Sequence, residues 1–172
     1  WEKASGTNIF IGRTCAVVVI EVPNKLLGKQ ISAFSTVARE QGGKWHQVQY
    51  MAKPLIAHTM LYEDDALKTE YNASRPGTQD KFKKFFSART ARSAHFAGGR
   101  ADAFSYGDKT AEVLLPDVLP YEVGSAAAYV AEKINGRKPD DDAMSTTLTL
   151  LVGKPTDQHL KDPGNYDVKK FP

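Results

Sequence analysis

Residues 18–50 read VVIEVPNKLLGKQISAFSTVAREQGGKWHQVQY, and the fold turns on how this stretch is divided. Residues 16–20 are five consecutive apolar side chains, mostly β-branched, and Glu21-Val22 follow, which is the composition of a buried strand. Pro23 has no N–H to give to a sheet ladder, so the strand is expected to end there. Asn24 suits a helix N-cap. Leu27, Ile31, Phe34 and Ala38 recur at the spacing of one helical face, which predicts an amphipathic helix. Gly42-Gly43 would stop that helix, because glycine takes the left-handed conformation cheaply. Residues 45–50 then alternate as a half-buried strand does.

A second unit of the same kind follows later in the chain. Residues 111–115 are apolar and strand-like, punctuated by Pro116 and Pro120. Val123, Ala127, Val130 and Ile134 repeat the helical stripe, Asn135-Gly136 ends it, and residues 145–152 are rich in Thr, Leu and Val, as in a strand. Two strand–helix–strand units predict an α+β fold, a ferredoxin-like sandwich of two helices on one antiparallel sheet. On this reading residues 1–152 form one α+β domain with a long basic insert at about 53–108. The insert holds one helix, from Gln79 to Ala91. Residues 153–172 and residues 1–7 are expected to be extended arms, ordered only against a surface.

The totals are those of an ordinary globular protein: 172 residues, 41% hydrophobic, 25% charged and a net charge of +3. The longest apolar run, residues 15–20, is far short of the roughly 20 residues that cross a bilayer. The sequence opens at Trp1 rather than Met, which leaves room for a preceding segment. The single cysteine, Cys15, is expected to be a buried structural thiol. Charge is uneven. Between Arg75 and Arg100 seven basic residues face one acid, Asp80. Such a surface favours acidic partners.

Catalytic and metal patterns are lacking. His46, His58, His95 and His159 stand singly, and Asp140-Asp141-Asp142 has neither the spaced oxygens nor the glycine of a calcium loop. No serine sits in a nucleophile elbow, and Gly98-Gly99-Arg100 is too short for a phosphate loop. The segment Lys81-Phe82-Lys83-Lys84-Phe85-Phe86 could track a nucleic-acid backbone. However, Phe82, Phe85 and Phe86 fall at helical spacing, which favours a core or a protein interface. The candidate partner-binding residues are therefore Lys81, Lys83, Lys84, Arg89, Arg92 and Arg100 as complementary charges, with Phe82, Phe85 and Phe86 as anchors.

Within residues 18–50, the Val22-Pro23 strand end, the helical stripe, Gly42-Gly43-Lys44 and the return strand together resemble the small linker domain of phycobilisomes, the light-harvesting antennae of photosynthesis in cyanobacteria and red algae. The aromatic usual after Val-Pro is Asn24 here, whereas the second unit has it as Pro120-Tyr121. The resemblance implies a non-catalytic linker protein with no cofactor of its own. Its partners would be acidic phycobiliproteins, which carry the bilins. Its place would be the thylakoid face, in the plastid stroma or the cyanobacterial cytoplasm. Two other readings stand beside it. One is an accessory structural subunit of another large complex. The other is a small enzyme on a ferredoxin-like scaffold.

Overall fold

The computed structural model describes residues 17–139 and 141–157. Cys15, Ala16, Asp140, His159, and the arms expected at residues 1–7 and beyond residue 157, lie outside the described residues. The elements in chain order are β1 (Gln30–Ala33), β2 (Ser35–Gln41), β3 (Lys44–Met51), α1 (Ile56–Met60), α2 (Asp65–Asn72), α3 (Lys83–Phe96), α4 (Ala103–Leu114), β4 (Leu119–Glu122), β5 (Ala128–Val130), β6 (Lys133–Asn135) and α5 (Ala143–Val152). The protein is thus mixed α+β. The described strands form three separate antiparallel pairs, β1 with β4, β2 with β3 and β5 with β6, in place of the single four-stranded sheet of a ferredoxin-like sandwich.

The N-terminal unit departs from the expected strand–helix–strand. Residues 17–22 form no strand, and their side chains are exposed. The helix expected from Leu27 to Ala38 is instead β1 and β2. The deciding residues are Gly42 and Gly43, with φ of 61° and 76°. Two successive left-handed residues close a two-residue hairpin whose twist matches the flanking strands. Gln41 accordingly faces Lys44 across the turn. The glycines therefore join strands, and the β-branched Thr36 and Val37 before them take the extended backbone they favour. The strand expected at residues 45–50 is present within β3.

The second unit is inverted in the same way. Residues 111–115, expected as a strand, are the end of α4 and the residue after it. Asp102 caps this helix, its carboxylate accepting from the Ser105 N–H at 3.0 Å. The helix expected from Val123 to Ile134 is a turn and the β5–β6 hairpin. Asn135 ties this hairpin to β4: its side chain accepts from the Glu122 N–H at 2.8 Å and donates to the Ala126 carbonyl at 3.0 Å. Residues 145–152, expected as a strand, lie in α5. Asp142 caps it by accepting from the Ser145 N–H at 2.9 Å, and Gly153 ends it at φ 73°. Ala143, Thr147, Leu150 and Leu151 are its buried stripe. Caps and burial outweigh the strand propensity of its threonines.

The span expected to be an insert supplies much of the core. Ile56, Met60, Leu61, Tyr71, Phe82 and Phe86 pack there with Tyr50, Ala111, Leu114, Leu115, Leu150 and Leu151. The helix expected from Gln79 is α3, which starts at Lys83 after a 3-10 turn and runs on to Phe96. It packs closely along α4 because Gly107 has no side chain. A Cβ there would lie 2.4 Å from the Ser87 carbonyl oxygen and 3.0 Å from the Ala91 Cβ.

Candidate protein-docking surface

Two clusters carry polar chemistry, and burial separates their roles. The first joins Tyr50, Lys53, Tyr71, Gln79 and Asp117. Asp117 is 1% exposed. Its carboxylate accepts from the Tyr71 hydroxyl at 2.6 Å and from the Lys53 N–H at 2.8 Å. Its own N–H donates to Gln79 Oε1 at 2.7 Å, and its carbonyl accepts from the Tyr50 hydroxyl. The Lys53 ammonium donates to the carbonyls of Leu114 and Pro116 at 3.0 and 3.1 Å.

Burial pushes the Asp117 carboxyl up. The Tyr71 hydroxyl, the Lys53 N–H and the Lys53 ammonium oppose that rise. Burial pushes the Lys53 ammonium down to about 8, and burial together with Asp117 pushes the Tyr50 hydroxyl up to about 12. A lysine, a carboxylate and two tyrosines with displaced titrations have the ingredients of acid–base catalysis. All of them are buried, however, and their polar groups are spent on one another and on nearby backbone. The cluster is a clasp that fastens the start of the α1 segment and the residues after α2 to the turn following α4. The sequence gives no spacing signal for it, because its members lie far apart in the chain and belong to no motif.

The second cluster is on the surface of α3 and α4. Among the residues expected to bind a partner, Phe82 and Phe86 point inward. They are buried in the chain's own core, with ring centres 5.2 and 5.9 Å from that of Tyr71. They are therefore unavailable as interface anchors. Their i, i+4 spacing sets both rings on the core-facing side. Phe85 turns outward, with the Lys84 ammonium 5.1 Å from its ring centre.

The cations divide as well. Lys81 pairs with Glu70, Lys83 with Glu112 at 3.2 Å, and Arg89 with Glu63 at 3.4 Å. Arg89 also lies over the Tyr62 ring at 4.2 Å. The Glu63 carboxyl is held low first by the Tyr62 hydroxyl and further by Arg89 and Arg92. Lys84, Arg92 and Arg100 make no ion pair among the described residues. Arg100 lies 5.0 Å from the Tyr106 ring centre.

Beside Arg92 the last turn of α3 and the first turn of α4 enclose a cleft of about 260 Å³, lined by Ala91, Arg92, His95, Phe96, Ala103 and Phe104. Its walls are almost wholly apolar. Phe96 is 79% exposed and Phe104 82% exposed. Two phenylalanines so open to solvent at the mouth of an apolar cleft make an exposed apolar patch of the kind that interaction sites carry. Sequence reasoning missed both, because they lie on different helices and meet only through the turn at Gly98-Gly99.

Among the described residues no group of three His, Cys, Asp or Glu side chains is placed to hold a metal ion. Nor, among them, is any helix long and apolar enough to cross a membrane. Comparison with protein-family models, with curated proteins and with solved structures returns no match.

Proposed function

We propose that this chain is a non-catalytic assembly protein that docks on an acidic protein partner through the α3–α4 cleft. The observation that carries the reading is the exposure of Phe96 and Phe104 around an apolar hollow, with Arg92 on its wall. An apolar side chain of the partner would fill the hollow as the buried centre of the contact. Arg92 on its wall would supply complementary charge, with Lys84 and Arg100 as further cations of the wider basic surface; such charge governs encounter rate and register more than affinity. Of the residues expected to bind from sequence, this retains Lys84, Phe85, Arg92 and Arg100. Lys81, Lys83 and Arg89 are already engaged by Glu70, Glu112 and Glu63.

The most concrete form of the proposal is a phycobilisome linker that organises phycobiliproteins. It is supported by the sequence likeness of residues 18–50 and by the basic surface; the strand–helix–strand arrangement that the likeness implied does not add to it. The test is native isolation of the chain with its partners, followed by visible absorption of the sized complex. Co-migrating bilin bands that disappear in an Arg92→Glu, Phe104→Ser variant are the expected result. A colourless complex overturns the linker form. A complex indifferent to both substitutions overturns the cleft as the docking site.

A further inference from the structure

Residues 17–22, VVVIEV, are a strand sequence without a strand partner. Five of the six are β-branched and apolar, the type most favoured in sheets. Their exposure is nevertheless high, from 42% at Val22 to 89% at Val18. Among the described residues no backbone hydrogen bond engages them, and the first one there runs from the Leu26 N–H to the Pro23 carbonyl. The segment therefore presents uncovered apolar side chains and, among the described residues, peptide groups without a backbone partner.

The same chain carries a sheet edge with the matching deficit. All seven residues of β2 are exposed, and β2 pairs only with β3, leaving its other edge without a ladder among the described residues. The hairpin also leaves Val37, Val48 and Trp45 in solvent, Trp45 at 74%. Native proteins blunt an open edge with prolines, charges or a covering element, and such an edge otherwise invites another strand.

We infer that residues 17–22 of one molecule add as a strand to the free edge of β2 in a second copy, in a reciprocal exchange that forms a closed dimer. The occupant is identified by complementarity, since donor strand and acceptor edge are present on one chain and each lacks what the other offers. Charge agrees. Glu21 is the one charged residue of the segment, and Arg39 is the one cation of β2. With Glu21 beside Arg39, a parallel alignment keeps the whole segment against residues 35–40 and places Val19 beside Val37. An antiparallel alignment with the same pair carries Val17 and Val18 past the end of β2. Reciprocal use of the two patches satisfies two-fold symmetry and leaves no open chain of contacts. This inference is independent of the α3–α4 cleft.

The test is the molar mass of the purified full chain by light scattering over a dilution series. The expected result is a dimer that dissociates on dilution. Val19→Pro removes an N–H from the new ladder and is expected to raise the dimer dissociation constant by about tenfold. Because residues 17–22 make no core contact, its melting temperature below the dissociation point should match that of the unaltered chain. Glu21→Arg and Arg39→Glu should each weaken the dimer, and the two together should restore it. A chain that is monomeric at every concentration overturns the inference. So does a dimer that neither Val19→Pro nor the charge reversals affect.

Discussion

The Tyr71 hydroxyl donates to Asp117 Oδ2 at 2.6 Å, joining the end of α2 to the turn after α4 across 46 residues of sequence. Tyr71 and Asp117 are each 1% exposed, so no water replaces either partner if one is lost. Tyr71→Phe is therefore expected to lower unfolding free energy by about 1–3 kcal/mol. Asp117→Ala strands the Tyr71 hydroxyl and the Lys53 N–H and removes the charge that faces the Lys53 ammonium, and about 3–5 kcal/mol is expected. Urea denaturation of the two variants measures both, and equal small losses would contradict the clasp.

Lys53 gives the protein a distinct pH response. Its ammonium titrates at about 8 in the folded chain against 10.5 ordinarily. Between those values the unfolded chain binds more protons, so stability rises with pH there. From pH 7 to 9 the gain is expected to be about 1 kcal/mol. Above pH 10 the Tyr50 hydroxyl, held up to about 12, acts in the opposite sense, because the folded chain then keeps the extra proton. Chemical denaturation at pH 7 and pH 9 reads the gain. Lys53→Met should abolish it.

Gly107 sets the spacing of α3 and α4. A methyl group there would meet the Ser87 carbonyl at 2.4 Å, a backbone atom that cannot turn aside. Gly107→Ala is expected to destabilise by about 1–3 kcal/mol despite its gain in helix propensity. Because the cleft spans both helices, the same change should weaken partner binding. Thermal melting and a binding titration on the one variant check the two effects.

Phe96 and Phe104 should behave in the opposite way. Both are about four-fifths exposed, so Phe96→Ser and Phe104→Ser are expected to change stability by no more than about 0.5 kcal/mol. Binding of the acidic partner should fall by about tenfold or more for each. A melting curve beside a binding isotherm separates the outcomes, and lost stability with retained binding would assign these rings to the fold.

Sequence reasoning located the breaks in the chain better than the elements between them. Gly42-Gly43, Asn135-Gly136 and Gly153 all punctuate the structure, whereas Pro23 ends no strand and Pro120 lies inside β4. The character of a break depends on its geometry, however: Gly42 and Gly43 turn a hairpin because both take positive φ, and a glycine pair in sequence does not announce that. The Thr- and Leu-rich α5 was illegible for another reason, since Asp142 and Gly153 cap it and burial of Leu150 and Leu151 decides the rest. Helix α3 was legible because Phe82 and Phe86 lie one turn apart and face the same core. The cleft was not, since its two phenylalanines come to line one hollow only when the turn at Gly98-Gly99 brings α4 back along α3.

Helices α3 and α4 are joined by a six-residue connection, residues 97–102, whereas β1 pairs with a strand that lies beyond all four of the intervening helices, with Ile31 opposite Tyr121. Closing a short loop sacrifices less chain freedom than closing a long one, and local contacts form sooner. During synthesis the helical pair is complete once Leu114 has emerged, while β1 still lacks its partner strand. The valine-rich residues 17–22 emerge ahead of all these elements and are still exposed once the chain has folded. On a polysome, neighbouring nascent copies therefore carry this sticky segment in the open while the rest of the fold is still being assembled, an interval in which they can meet through it.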